Sequence, residues 1–124
     1  MAAFDAERVG RTVNAALAGP GGIALVISVF AGLPGVGRTA ARRGVFRSQP
    51  ARLQIGDWRY EVTPDDRLRA AHVVGGIVIA EEVLLADAVG PHLARSLAQI
   101  VARYGPAVIP NIDAAVDALS AGAG

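Results

Sequence analysis

The segment GLPGVGRT, Gly32–Thr39, follows the apolar run IALVISVFA and comes nearest in this chain to a spacing that does chemistry. Glycines allow several backbone N–H groups to converge on an anion, and a basic side chain followed by a hydroxyl can hold phosphate and a divalent cation. Two further arginines follow closely, so Arg38, Arg42 and Arg43 are candidate anion-binding groups. The other chemical candidates are sparse. His72 and His92 are the only histidines, and Glu81 and Glu82 stand side by side. On a strand, adjacent glutamates face opposite ways, so one of the two points toward the covered side. A carboxylate buried there has its pKa raised or finds an arginine, and could serve as acid or base with His72. A bulge that turns both glutamates to solvent is the milder expectation.

Each candidate has a structural reading beside the chemical one. His72 shares a strand face with Leu68, Ala70 and Val74, which suits a half-buried, satisfied histidine, and His92 falls at the boundary of a helix. Neither stands in an HExxH arrangement, so no metal and no cofactor is expected. Trp58 and Tyr60, two apart, are either core residues or anchors of a binding patch. The serines lie outside any GxSxG setting, which leaves serine hydrolysis without support.

GLPGVGRT resembles the phosphate loop of P-loop nucleoside triphosphatases, with Thr39 at the hydroxyl position and Arg38 where that family has lysine. Arginine's planar fork is no equivalent for lysine in a fitted phosphate cradle. Such a loop must also feed a sustained helix, and only Thr39–Arg43 has room for a helical turn before Gly44 and Pro50. VLLAD, Val83–Asp87, imitates the strand and acid that position magnesium, but the surrounding pattern is antiparallel, whereas that fold needs parallel strands. The segment is expected to bind anions at most.

Composition sets the frame for these candidates. The chain has 124 residues, 52% of them apolar and 19% charged, which suits one packed domain over residues 1–124. The absence of cysteine excludes disulfides and thiolate chemistry. Twelve arginines and no lysine stand against eleven acids, for a net charge of +1. Residues 32–60 carry six arginines against Asp57, and residues 61–87 carry six acids against Arg67 and Arg69. That asymmetry could orient two subunits or attract an anion, although a nearly neutral chain is a weak nucleic-acid footprint. Residues 1–18 lack the form of a signal peptide, and the longest apolar stretch, Gly19–Leu33, is interrupted by glycine and proline. No transmembrane segment and a cytoplasmic location are therefore expected.

The elements that must carry these residues are legible in part. Ala6, Val9, Val13, Ala16 and Leu17 recur at helical spacing and predict a helix over 3–18, closed by Gly19 and Pro20. Ile23–Phe30 has no polar face; its Ile and Val content leans toward a buried strand, with a short buried helix as the rival. Gly32–Pro50 reads as a long loop. Residues 53–55 and 58–62 alternate around a Gly56–Asp57 turn, TPDD makes the next turn, and Gly75–Gly76 joins strands 68–74 and 77–84. Val89, Leu93, Leu97, Ile100, Val101 and Tyr104 predict a helix that Gly105–Pro106 stops, and a last helix runs from Pro110 to about Ser120.

The stretch RYEVTPDDRLRAAHVVGGIVIAEEVLLADAVGPHLARSLAQIV, Arg59–Val101, looks like small proteins of uncharacterised function from high-GC actinobacteria, especially mycobacteria. The resemblance implies an intracellular, possibly dimeric α+β protein and carries no catalytic signature. The expected architecture is α+β: an antiparallel four-stranded meander over about 52–84 packed against an N-terminal helix and C-terminal helices. The expected role is a non-catalytic interaction or small-ligand-binding module that self-associates as a homodimer, with Arg38, Arg42, Arg43, Trp58 and Tyr60 as binding residues. A small enzyme using His72 with Glu81 or Glu82, and an anion or nucleotide binder through segment 32–47, are the alternatives.

Overall fold

The computed structural model describes residues 4–33, 36–39, 42–43, 48–49 and 52–123, with backbone alone for 38–39, 42–43, 48–49 and 122–123. Helix α1 spans Ala6–Ala18. Asp5 caps it by accepting a hydrogen bond from the Arg8 backbone N–H at 3.1 Å, and Val9, Val13 and Ala16 form its buried stripe. After the Gly19–Pro20 break the chain forms α2, Gly22–Phe30. This corrects the expectation of a strand. Val26, Ile27 and Phe30 are buried at spacings of one and four, so helical burial against neighbouring elements outweighs the β preference of Ile and Val.

The segment expected to be a loop holds strands instead. β1 is Val36–Thr39, and β2, Arg42–Arg43, pairs with β3, Ser48–Gln49, as a separate two-stranded ribbon. Thr39 lies in one strand and Arg42–Arg43 in another, not in the helical turn expected over 39–43. The meander follows as β4, Arg52–Ile55; β5, Trp58–Val62; β6, Leu68–Val74; and β7, Ile77–Leu84. β1 pairs with β4, so the sheet has five strands in the order β1-β4-β5-β6-β7, all antiparallel.

Turn chemistry fixes the meander as expected. Gly56 (φ 58°) closes the β4–β5 turn, and Gly75 and Gly76 (φ 60° and 81°) close the β6–β7 turn, all in the left-handed region where a side chain is strained. Thr63–Arg67 is tied by Asp66 N–H donating to the Thr63 carbonyl at 3.0 Å and Thr63 N–H donating to the Arg67 carbonyl at 2.9 Å.

Helix α3, Ala86–Tyr104, crosses the sheet and is followed by a 3₁₀ turn, Pro106–Val108, and α4, Ile109–Ala123, which starts one residue earlier than expected and runs further. Val89, Leu93, Leu97 and Ile100 of α3 join Leu53, Ile55, Tyr60 and Leu68 of the sheet, Val13 of α1, Phe30 of α2 and Leu119 of α4 in one buried cluster. The architecture is therefore α+β, with an antiparallel sheet packed against N- and C-terminal helices.

The α1–α3 crossing accommodates a proline inside α3. Pro91 has no N–H for the carbonyl four residues back, at Asp87. Asn14 of α1 donates its side-chain amide to that carbonyl at 3.1 Å and accepts from Gly90 N–H at 2.9 Å. A Cβ on Gly90 would come within 2.2 Å of the Gly10 carbonyl oxygen, so only glycine permits this approach.

Candidate functional site

The polar residues at the sheet–α3 interface come together around Tyr60. Its side chain is fully buried, and its hydroxyl lies 2.7 Å from His92 Nδ1, within hydrogen-bond contact of Ser96 Oγ, and 3.5 Å from the His92 carbonyl. If Tyr60 donates to His92 Nδ1 and Ser96 donates to Tyr60, one network satisfies all three side chains. Burial pushes the Tyr60 phenol far above its ordinary value, with Ser96 and Arg95 opposing that shift. Burial, aided by Arg95, pushes His92 below its ordinary value against the pull of Glu82. A neutral His92 accepting at Nδ1 matches this network.

Aromatic contacts extend the cluster. Trp58 and His72 are direct cross-strand partners, stacked with ring centroids 4.7 Å apart and planes 13° from parallel. Trp58 also meets His92 edge-on at 4.4 Å, as Tyr60 does at 5.4 Å. His72 is half-buried against Trp58, in line with its structural reading, and Tyr60 belongs to the core. Among the described residues, every buried side-chain polar atom has a partner, so this network offers no free group to a substrate. Also among the described residues, no three His, Asp or Glu side chains gather as metal ligands.

The glutamates do not converge on His72 as a pair. Glu82, the partner of Ala70, shares the helix-side face with His72, whereas Glu81, the partner of Ala71, lies on the opposite face 3.8 Å from Arg69. Both are exposed, as the milder expectation had it, and neither is buried as the acid–base alternative required: β7 is the outermost strand, and of its residues only Leu84 is buried. A bulge is present in β7, yet it falls at Ile79, with Ala80 paired to His72 and Val78 to Val73. The position at the edge, more than the bulge, exposes the two acids.

On the open face, Arg52 meets Glu61 at 2.9 Å, and Glu61 and Arg69 approach to 3.8 Å. Arg52 is thus engaged with a carboxylate. The phosphate-cradle geometry is overturned by pairing: Gly37, Arg38 and Thr39 stand opposite Gln54, Leu53 and Arg52 in a strand, and the run before them is helix α2. The side chains of Arg38, Arg42 and Arg43 lie outside the described residues.

Two other features could engage a partner. A cavity of about 470 Å³ opens between the α1–α2 junction and the ends of β6 and β7, lined by Leu17, Ile23, Leu68, Leu84, Val89 and Arg67. The β7 edge is more conspicuous. Ile77 is 67% exposed, Ile79 59%, Val83 44%, and Leu85 just beyond them 68%.

A family model described as a domain of unknown function (DUF5073) matches residues 1–121. The chain belongs to that family. No curated protein and no solved structure shows a significant match to it. Membership in DUF5073 accords with the resemblance drawn to proteins of uncharacterised function, and the family description names no activity and no lineage. Sequence reading had singled out Trp58, Tyr60 and His72 of the aromatic cluster but had assigned His92 and Ser96 no part in it. Their signal was present: they lie four apart, one helical turn, beside the stripe of Val89, Leu93 and Ile100. Among the described residues of this DUF5073 chain, no helix is long and apolar enough to cross a membrane.

Proposed function

We propose that the protein is a non-catalytic interaction module that self-associates through the apolar edge of its sheet, acting in the cytoplasm of a high-GC actinobacterium. The observation that carries this reading is the exposure of Val74, Ile77, Val78, Ile79, Val83 and Leu85 along and beside one edge strand. Scattered surface apolar residues need no explanation, but a contiguous set on an open edge is a surface that proteins cover or pair. The satisfied Tyr60–His92–Ser96 network supports a structural, not catalytic, role for the polar cluster. In sedimentation equilibrium the chain is expected to show a reversible monomer–dimer equilibrium, and Val83→Lys, at an exposed position of the edge, to shift it to monomer with an unchanged circular-dichroism spectrum. A chain that stays monomeric at the highest attainable concentration overturns the reading.

The cavity supports a second reading, binding of a small uncharged apolar molecule, because Arg67 at its rim is already engaged with Asp65 at 3.3 Å. Leu84→Trp, which fills the cavity, is expected to abolish saturable binding of a neutral apolar fluorophore. Binding that survives this substitution removes the cavity from consideration.

A further inference from the structure

We infer that a second copy of the chain pairs with β7 in antiparallel fashion about a two-fold axis at Val83, so that the two sheets continue as one. This rests on the self-association reading above and supplies its geometry. An edge strand presents alternate N–H and C=O groups with no partner, and proteins blunt such edges with proline, lysine or short length. Ile77–Leu84 has neither proline nor lysine and runs for eight residues. Its apolar side chains are exposed on both faces, so the strand that covers it must be apolar on both faces too. β7 itself is such a strand. Antiparallel pairing of two identical strands is two-fold symmetric and closes on itself, giving a dimer and not a growing chain of copies.

Charge and the bulge choose the register. Axes at Glu81, at Glu82 or between them set carboxylates of the two copies against each other, which destabilises a strand pair. Axes near Ile79 run through the bulge in both copies, where the ladder is irregular. An axis at Val83 uses the regular segment: Val83 faces its own copy, Glu82 faces Leu84, and Glu81 faces Leu85, whose backbone is still extended (φ −67°, ψ 152°). A five-residue ladder flanked by apolar side chains belongs to the small, readily exchanging class of interfaces, with dissociation constants on the order of micromolar.

The chain has no cysteine, so single-cysteine variants report without background. Opposed residues in an antiparallel pair lie about 5 Å apart, within disulfide reach. Under mild oxidation Val83→Cys is expected to cross-link to a dimer. Ile77→Cys, whose two copies would lie about 40 Å apart along the paired strands, is expected to stay uncross-linked. An equimolar mixture of E81C and L85C chains is expected to form the mixed cross-link, which tests the register should the Val83 variant fold poorly. If the chain dimerises by sedimentation but neither V83C nor the mixed pair cross-links, pairing of β7 about Val83 is overturned while self-association stands. A chain that never dimerises overturns both.

Discussion

Tyr60 is the residue on which the sheet–helix junction turns, because among the described residues its hydroxyl alone joins a buried strand side chain to both His92 and Ser96 of α3. Tyr60→Phe keeps the ring and its edge-on contact but leaves His92 Nδ1 and Ser96 Oγ without that partner. The expected loss is about 1–3 kcal/mol, read as a lower urea midpoint at unchanged denaturant dependence. A midpoint equal to that of the parent chain would show that water or another group replaces the hydroxyl. His92 adds a pH dependence whose sign follows from its lowered pKa. The folded state disfavours the imidazolium, so stability is full above the unfolded value of about 6.5 and is lost as pH falls from there through the lower folded value. Denaturation midpoints measured between pH 8 and pH 4 should decline across that window, and His92→Gln should remove that part of the decline. A decline left intact by the substitution would assign it to other groups.

At the scale of elements, the α1–α3 crossing is the most constrained contact. Gly90→Ala must displace the Gly10 carbonyl and the Asn14 side chain, both closer than 3 Å to the new Cβ, and is expected to cost about 3 kcal/mol or more. Gly32→Ala serves as the control, since among the described residues its Cβ meets only the Val29 carbonyl oxygen, at 3.6 Å, and should change thermal stability little. Equal effects from the two substitutions would contradict the close approach. The meander was readable because Gly56, Pro64, Asp66, Gly75 and Gly76 sit where specific turns need them. Helix α2 and strand β1 were not readable for the same reason in reverse. Ile23–Phe30 is apolar all round, so its period is silent, and Val36–Thr39 becomes a strand only because β4 offers it a pairing edge.

For the whole molecule, the decisive feature is that the buried core reaches Leu53, Tyr60, Leu68 and Ala70 on three successive strands but, on β7, only Leu84. In the proposed dimer, pairing at this uncovered edge couples folding to association. The apparent melting temperature should therefore rise with protein concentration, as mass action requires of a dimer that dissociates on unfolding. Scanning calorimetry over a hundredfold range of concentration checks this, and Val83→Lys should abolish the dependence. A concentration-independent transition in the parent chain would argue for a β7 edge that stays bare.

Local chemistry in the sequence determined the α+β class, the four meander strands, the three tight turns and the helices at both ends, because turn residues and hydrophobic period act over a few neighbours. Tertiary structure alone decided which faces were left open. Whether Glu81 and Glu82 are buried depends on β7 being the last strand of the sheet. His92 and Ser96 gain their partner only because α3 lies across β5, and the glycine-rich segment becomes an edge strand only by pairing with β4. Those outcomes depend on contacts between residues distant along the chain, which no local period encodes.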